Sequence, residues 1–339
     1  MLPKRFLELS INSLKQVQTQ SFQLNQYSFQ QHSSFSPTED QPSTLQINPQ
    51  QIHLRPRTTE TLVAAVDTST IRLGETSRGM AIAIRGATVW KHEKKYRYTR
   101  LGPFVFHVTE DNKKEVFTAL ERSYFSNASG HPVIPTLQQM PTRIASLLER
   151  WLQTTAVKIA DHGIVLFDGS LTAGTIDTPV QRLKEILSIA RRNSNVVLAI
   201  SKATNLRANG YLITDQLPDK DPPYLLETRG LKSNFQTTLL GDIYVARLNR
   251  AKYGFRMDID SQTPVPERIE AVEKLLGNDT FQQCYPETLR LSHILCTFTA
   301  NEVLAMQRFV THDFGLKIIN RPDMHRLLFG PFGRGEGYA

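Results

Sequence analysis

The chain has 339 residues, 40% of them hydrophobic and 21% charged, with 40 Lys+Arg against 32 Asp+Glu for a formal net charge of +8. No apolar run approaches the roughly 20 residues of a membrane span and no apolar leader follows Lys4 and Arg5, so a globular cytoplasmic protein without membrane contact is expected. Two cysteines, Cys284 and Cys296, are too few for a disulfide framework and form no CxxC pair, which points away from zinc and toward a hard cation with oxygen ligands.

In residues 3–17, Phe6, Leu7, Ile11, Leu14 and Val17 recur at helical spacing. Gln, then Ser, Pro and Thr, dominate as far as Pro56. Residues 1–58 thus read as a terminal helix with a Gln/Ser-rich extension, either a weakly ordered tether for docking or dimer formation or a disordered tail. One folded domain is expected over 59–320, and 321–339 form a C-terminal tail. Leu62-Val63-Ala64-Ala65-Val66 suits a strand buried on both faces, ending at Asp67-Thr68-Ser69-Thr70. Strands at 80–84 and 87–90 make a hairpin-rich start to a sheet. Over 90–100, Tyr96 and Tyr98 stand among Lys and Arg, which fits either the wall of a single-strand channel or an exposed hairpin.

Residues 141–159 read as a helix, with Ile144, Leu147, Leu148, Trp151 and Leu152 on one face. A buried strand at 164–167 follows and ends at Asp168-Gly169-Ser170. Next come an amphipathic helix over 180–192, a strand at 196–200, strands at 242–248 and 255–259, and helices at 266–276 and 289–309. Strands alternating with helices after a hairpin predict an α/β fold, a mixed sheet flanked by helices.

Two apolar strands each end on an aspartate followed by small residues. In α/β sheets ligands bind beyond the carboxyl ends of the strands, so Asp67 and Asp168 stand where a site belongs. Either one alone also fits a residue that starts a turn or caps a helix. Glu149 lies at the edge of the apolar face of the helix before the second strand; it suits a third site carboxylate, or a surface partner of Arg150 or Arg143. Three converging carboxylates would hold Mn²⁺ or Mg²⁺, one ion or a pair, for in-line phosphodiester hydrolysis. A net positive chain suits a phosphate-backbone substrate, and equally suits plain solubility.

Over residues 61–309 the chain resembles the NurA nucleases, which resect DNA ends beside the hexameric ATPase HerA. The resemblance is carried, in order, by Ala65-Val66-Asp67-Thr68-Ser69, Arg143 to Glu149, Leu166-Phe167-Asp168-Gly169-Ser170-Leu171, and Ala199-Ile200-Ser201-Lys202. It continues through Phe255-Arg256 and Cys284-Tyr285-Pro286 to Leu289 and His293. It implies a ribonuclease H-like fold, a homodimer, and a HerA-type partner in double-strand break repair. The implied activity is Mn²⁺-dependent 5′-to-3′ exonuclease, with single-strand endonuclease activity beside it. By the same resemblance Asp67, Glu149 and Asp168 match the metal ligands, while Tyr285 and His293 match further active-site positions. His293 could be an added ligand or a proton donor, and Tyr285 a phosphate or base contact; by themselves they also read as a helix-start histidine and a core aromatic. Lys202 and Arg256 are candidate phosphate contacts. Thr68 stands where the first motif often has glycine. A non-catalytic dimeric DNA-binding or ATPase-regulating module of the same fold is the second reading. An actin-like phosphotransferase is the third, and it lacks its glycine-rich phosphate hairpins.

Overall fold

The computed structural model describes residues 4–15, 46–124, 133–175, 178–218, 221–229 and 237–319. The Gln-rich run and the 321–339 tail lie outside them. Among the described residues, seven α-helices and nine strands of one sheet form the frame. The strands are β1 (Gln46–His53), β2 (Val63–Glu75), β3 (Gly79–His92), β4 (Lys95–Thr109), β5 (Ile164–Asp168), β6 (Val196–Ser201), β7 (Tyr224–Arg229), β8 (Gly241–Arg247) and β9 (Phe255–Asp260). The helices are α1 (Lys4–Lys15), α2 (Lys113–Tyr124), α3 (Met140–Ile159), α4 (Val180–Arg192), α5 (Val265–Asn278), α6 (Glu287–Cys296) and α7 (Ala300–Phe314).

Across the sheet the order is β1-β7-β8-β9-β6-β5-β2-β3-β4. Only the β2–β5 and β5–β6 pairings of this sheet are parallel; its other pairings are antiparallel. From β2 the chain builds outward through β3 and β4 on one side. It then crosses back by α2 and α3 to place β5 on the other side of β2. The β2–β5 border is therefore where the winding direction reverses, the place where open α/β sheets bind ligands. The expected α/β architecture, a large mixed sheet flanked by helices, is the one observed.

Side chains divide by strand alternation into two cores. On one face Val66, Ile82, Ile84, Phe106, Val165 and Phe167 pack under α1, α2, α3 and α4. On the other, Val63, Ala65, Ile164, Leu166, Leu198 and Met257 pack under α5 and α6, and α7 closes a third cluster over Leu73, Ala81 and Val105. The first helix is part of this framework: Phe6 is fully buried against the rings of Phe104 and Phe106.

Several elements differ from the expectation. The strand expected to end at Asp67 runs on to Glu75, because Thr68, Ser69, Thr70 and Ile71 continue the ladder opposite Gly86 to Ala83. A hydroxyl-rich run resembles a turn by composition, yet threonine and isoleucine are strand formers. What stops near Asp67 is the pairing with β5, whose last register pair is Val66 with Phe167. The two short strands at 80–84 and 87–90 are one long β3. The basic-aromatic stretch is the hairpin alternative: His92 pairs with Lys95 across Glu93 and Lys94, both at positive φ, the geometry of a tight two-residue turn. The helix expected over 289–309 is two helices, broken at Thr297-Phe298-Thr299, where Thr299 and Glu302 form a capping box for α7. Strand β1, from the stretch read as extension, pairs with β7.

Two contacts hold the helices that carry candidate residues. Gly86 of β3 faces α3, and a Cβ there would meet Leu152 Cδ1 at 2.6 Å and Leu148 Cδ2 at 3.2 Å. The missing side chain is what lets α3 lie so close to the sheet. At the α6–α7 junction the buried Arg85 guanidinium donates to Thr297 O at 3.1 Å and Glu302 Oε1 at 2.7 Å, with Phe298 beneath it at 4.4 Å. Hydrogen bonds from Arg85 and from the Thr299 backbone hold the Glu302 carboxyl down at about 2.

Gly86→Val should lower stability by about 1–3 kcal/mol through overpacking, with Gly86→Ala milder because the obstructing atom is a mobile leucine tip; denaturant midpoints measure both. The depressed Glu302 carboxyl stabilises the fold fully above its unfolded value of 4.5 and less as pH falls toward about 2. Glu302→Gln should therefore be less stable near neutrality and should lose part of the parent's fall in stability over that acid interval, as followed by thermal unfolding against pH.

Candidate metal centre

Asp67 and Asp168 each sit one step beyond the Val66–Phe167 pair on adjacent parallel strands. Alternation turns both toward the α5–α6 face, since Val63, Ala65, Ile164 and Leu166 belong to that core. Asp67 is buried and Asp168 half-buried. Asp67 Oδ1 accepts from the Thr68 backbone N–H at 2.7 Å, and Oδ2 meets His293 Nδ1 at 2.7 Å. Lys202, just past the end of β6, donates its ammonium to Asp168 Oδ2 at 2.7 Å.

Glu149 reaches the same spot from the other face of the sheet, on α3. Its Oε1 accepts from Gln153 Nε2 at 2.9 Å, and Gln153 in turn accepts from Arg150 at 2.6 Å. The link to Arg150 is thus relayed through an amide, while Arg143 lies over the Phe117 ring. Burial raises the Glu149 carboxyl most, Arg150 pulls it back, and the negative charges of Asp67 and Asp168 raise it further. Asp67 is raised likewise, chiefly by burial and also by Asp168, against the lowering bond from His293. Glu149 thus lies within electrostatic reach of Asp67 and Asp168, from the other face of the sheet.

Tyr285 lies two residues before the start of α6. Its ring packs edge-on against Phe255 at 5.4 Å, with the Lys202 ammonium 5.8 Å from its centroid. Its hydroxyl oxygen is buried without a hydrogen-bond partner. Burial, then the charges of Asp168 and Asp67, hold that phenol well above its usual range. His293 is on α6, its side chain 52% exposed against 10% for Asp67. The sheet border thus brings together Asp67, Asp168, Lys202, Tyr285 and His293, with Glu149 within electrostatic reach of the two aspartates.

Arg256 is placed differently. Its guanidinium is buried and forks onto Asp258, Nε to Oδ1 and Nη2 to Oδ2, each at 2.7 Å. Asp258 Oδ2 also accepts from the Leu171 N–H at 3.0 Å. Arg256 is therefore a strut behind the Asp168 loop rather than a free phosphate contact. Cys296, read from sequence only as a reduced buried thiol, stands with Asp67 and His293: one donor atom from each lies within 4.8 Å of the other two. The available signal was its place three residues after His293 on one helix, which puts both on the same face.

The residues present fit a divalent cation. Burial and neighbouring negative charge push the Asp67 and Glu149 carboxyls up, beside Asp168 and the buried Tyr285 phenol. A cation there would favour the charged forms of Asp67 and Glu149. Oxygen donors of this kind suit Mg²⁺ or Mn²⁺.

No protein-family model matches the chain, and no curated protein matches it. The chain is similar to solved NurA nuclease structures. With the NurA nuclease from Sulfolobus solfataricus it shares 15% identity, covering 79% of this chain and 88% of that one, at a TM-score of 0.49. A NurA structure bound to dAMP and manganese shares 9% identity, with 78% and 92% covered and a TM-score of 0.45. An Endonuclease_V structure from Bacillus subtilis shares 12%, with 77% and 88% covered and a TM-score of 0.34.

Proposed function

We propose that this chain is a divalent-metal-dependent deoxyribonuclease, a phosphodiester hydrolase whose centre is Asp67, Glu149 and Asp168. The observation that carries the reading is Asp67 and Asp168 side by side on the border where the winding reverses, with Glu149 within electrostatic reach from the other face. In a chain of formal net charge +8, such an acidic focus suits a polyanionic substrate only with cations between the two. The sequence resemblance adds the finer form of the proposal: Mn²⁺-dependent 5′-to-3′ exonuclease and single-strand endonuclease activity, a homodimer, and a HerA-type hexameric translocase that feeds it DNA ends for resection.

The residues divide the work by position. Asp67, Glu149 and Asp168 would hold the cation, and Lys202, already on Asp168, offsets charge on that side and can meet a phosphate oxygen. When bound, a divalent cation polarises the phosphodiester and acidifies a water. The Tyr285 hydroxyl, buried beside Asp168, can donate to a phosphate oxygen. His293 holds Nδ1 on Asp67, which fixes the ring and leaves Nε2 free to carry a proton to the leaving oxygen. The buried pair Arg256–Asp258 keeps the Gly169–Leu171 turn in place through the Leu171 N–H.

Asp168→Asn and Glu149→Gln should each reduce Mn²⁺-dependent degradation of end-labelled DNA to below about a hundredth of the parent rate, with circular dichroism unchanged. Glu121→Gln on α2 should leave the rate at the parent level. Degradation by Asp168→Asn at the parent rate sinks the three-carboxylate centre. In thermal scans Mn²⁺ should raise the parent's midpoint relative to EDTA, and the increment should vanish in Asp67→Asn.

A further inference from the structure

We propose that Asp67, His293 and Cys296 form a second, softer cation site that takes a borderline divalent ion of the zinc class. Its three donors are a carboxylate oxygen, an imidazole nitrogen and a thiol sulfur, all within 4.8 Å of one another. Tetrahedral coordination with metal–sulfur bonds of about 2.3 Å and metal–nitrogen bonds of about 2.0–2.1 Å puts neighbouring donors roughly 3–4 Å apart. Side-chain adjustment is therefore enough to close the set. His293 and Cys296 occupy one face of α6, and the Cys296 sulfur contacts His293 O at 3.2 Å, so the helix presents both donors together. Asp67 approaches from β2, with its Oδ2 already on His293 Nδ1. The exposed imidazole side gives an ion a way in and a fourth position for water.

The chemistry distinguishes this site from the carboxylate centre. Sulfur and imidazole favour Zn²⁺ or Co²⁺, whereas Mg²⁺ and Mn²⁺ favour oxygen. Binding releases the Cys296 thiol proton to solvent and moves the imidazole proton to Nε2, leaving sulfur and Nδ1 as electron-pair donors. Asp67 belongs to both donor sets, so an ion held by His293 and Cys296 draws its carboxylate toward α6 and places a second positive charge beside the catalytic cation. The consequence for catalysis rests on the nuclease reading: a zinc-class ion is an inhibitor that competes with the catalytic cation. The existence of the site does not depend on that reading.

Cobalt(II) titrated into the full chain separates the two. Thiolate ligation gives a near-ultraviolet charge-transfer band that carboxylate ligation does not. The parent and Cys284→Ala should develop the band at one equivalent and lose it on adding zinc. Cys296→Ser and Cys296→Ala should show none, and the exposed His293→Gln should bind cobalt at least about tenfold more weakly. No band in the parent, a band that survives replacement of Cys296, or full affinity in His293→Gln overturns the site. If the Cys296 variants do not fold, the parent spectrum and His293→Gln still decide. In DNA hydrolysis with Mn²⁺, the zinc concentration that halves the rate, scored against each variant's own uninhibited rate, should rise at least about tenfold in Cys296→Ser; an unchanged value overturns the competition. A parent inactive on DNA with Mn²⁺ sinks the nuclease reading and leaves the cobalt result to stand by itself.

Discussion

Two like charges stand side by side where a parallel ladder stops, and the surrounding structure answers that constraint. Adjacent parallel strands lie about 4.8 Å apart, so Asp168, like Asp67 one step past a register pair, adds to the burial that raises the Asp67 carboxyl. Glu149 adds a third charge from behind. The protein supplies fixed compensation: a backbone N–H and an imidazole for Asp67, an ammonium for Asp168, an amide relay to Arg150 for Glu149. These partners hold the carboxylates in place without neutralising all of their charge.

The same constraint explains the investment in anchoring the helices. Glu149 can reach the border only if α3 lies close on the sheet, which Gly86 permits. His293 depends on α6, whose far end is fixed by Arg85 at the junction with α7. Gly86 and Arg85 are neighbours on β3, pairing with Thr68 and Ser69, the residues that follow Asp67. One stretch of β3 thus sets the height of both helices above and below the carboxylates. A buried arginine costs desolvation and is worth keeping where position matters more than stability.

Much of this was legible in the residues. Strands 164–167 and 196–200, helix 180–192 and the helix carrying Glu149 follow from apolar periodicity, and Asp67 and Asp168 from their place after apolar runs. Asp67 was placed for a partly wrong reason: its strand does not stop there, its parallel neighbour does, and pairing with a distant strand leaves no mark on local composition. Glu149 and His293 could not be joined to the site by periodicity, because they approach from opposite faces and are brought together by topology alone. Arg256 looked like a free cation because a buried partner two residues along the same strand, Asp258, reads as ordinary alternation. The break at Thr297–Thr299 was readable, since Thr299 and Glu302 have capping-box spacing, but the apolar pattern runs across it unbroken.

The two-sided construction also sets an order of assembly during synthesis. The three carboxylates have all emerged by residue 168, while Lys202 follows later and Tyr285 and His293 come only in the last sixth of the chain. A growing chain therefore carries the acidic cluster long before it carries the groups that balance and orient it. The α6 side of the cluster is therefore completed last, when that helix closes over the finished sheet.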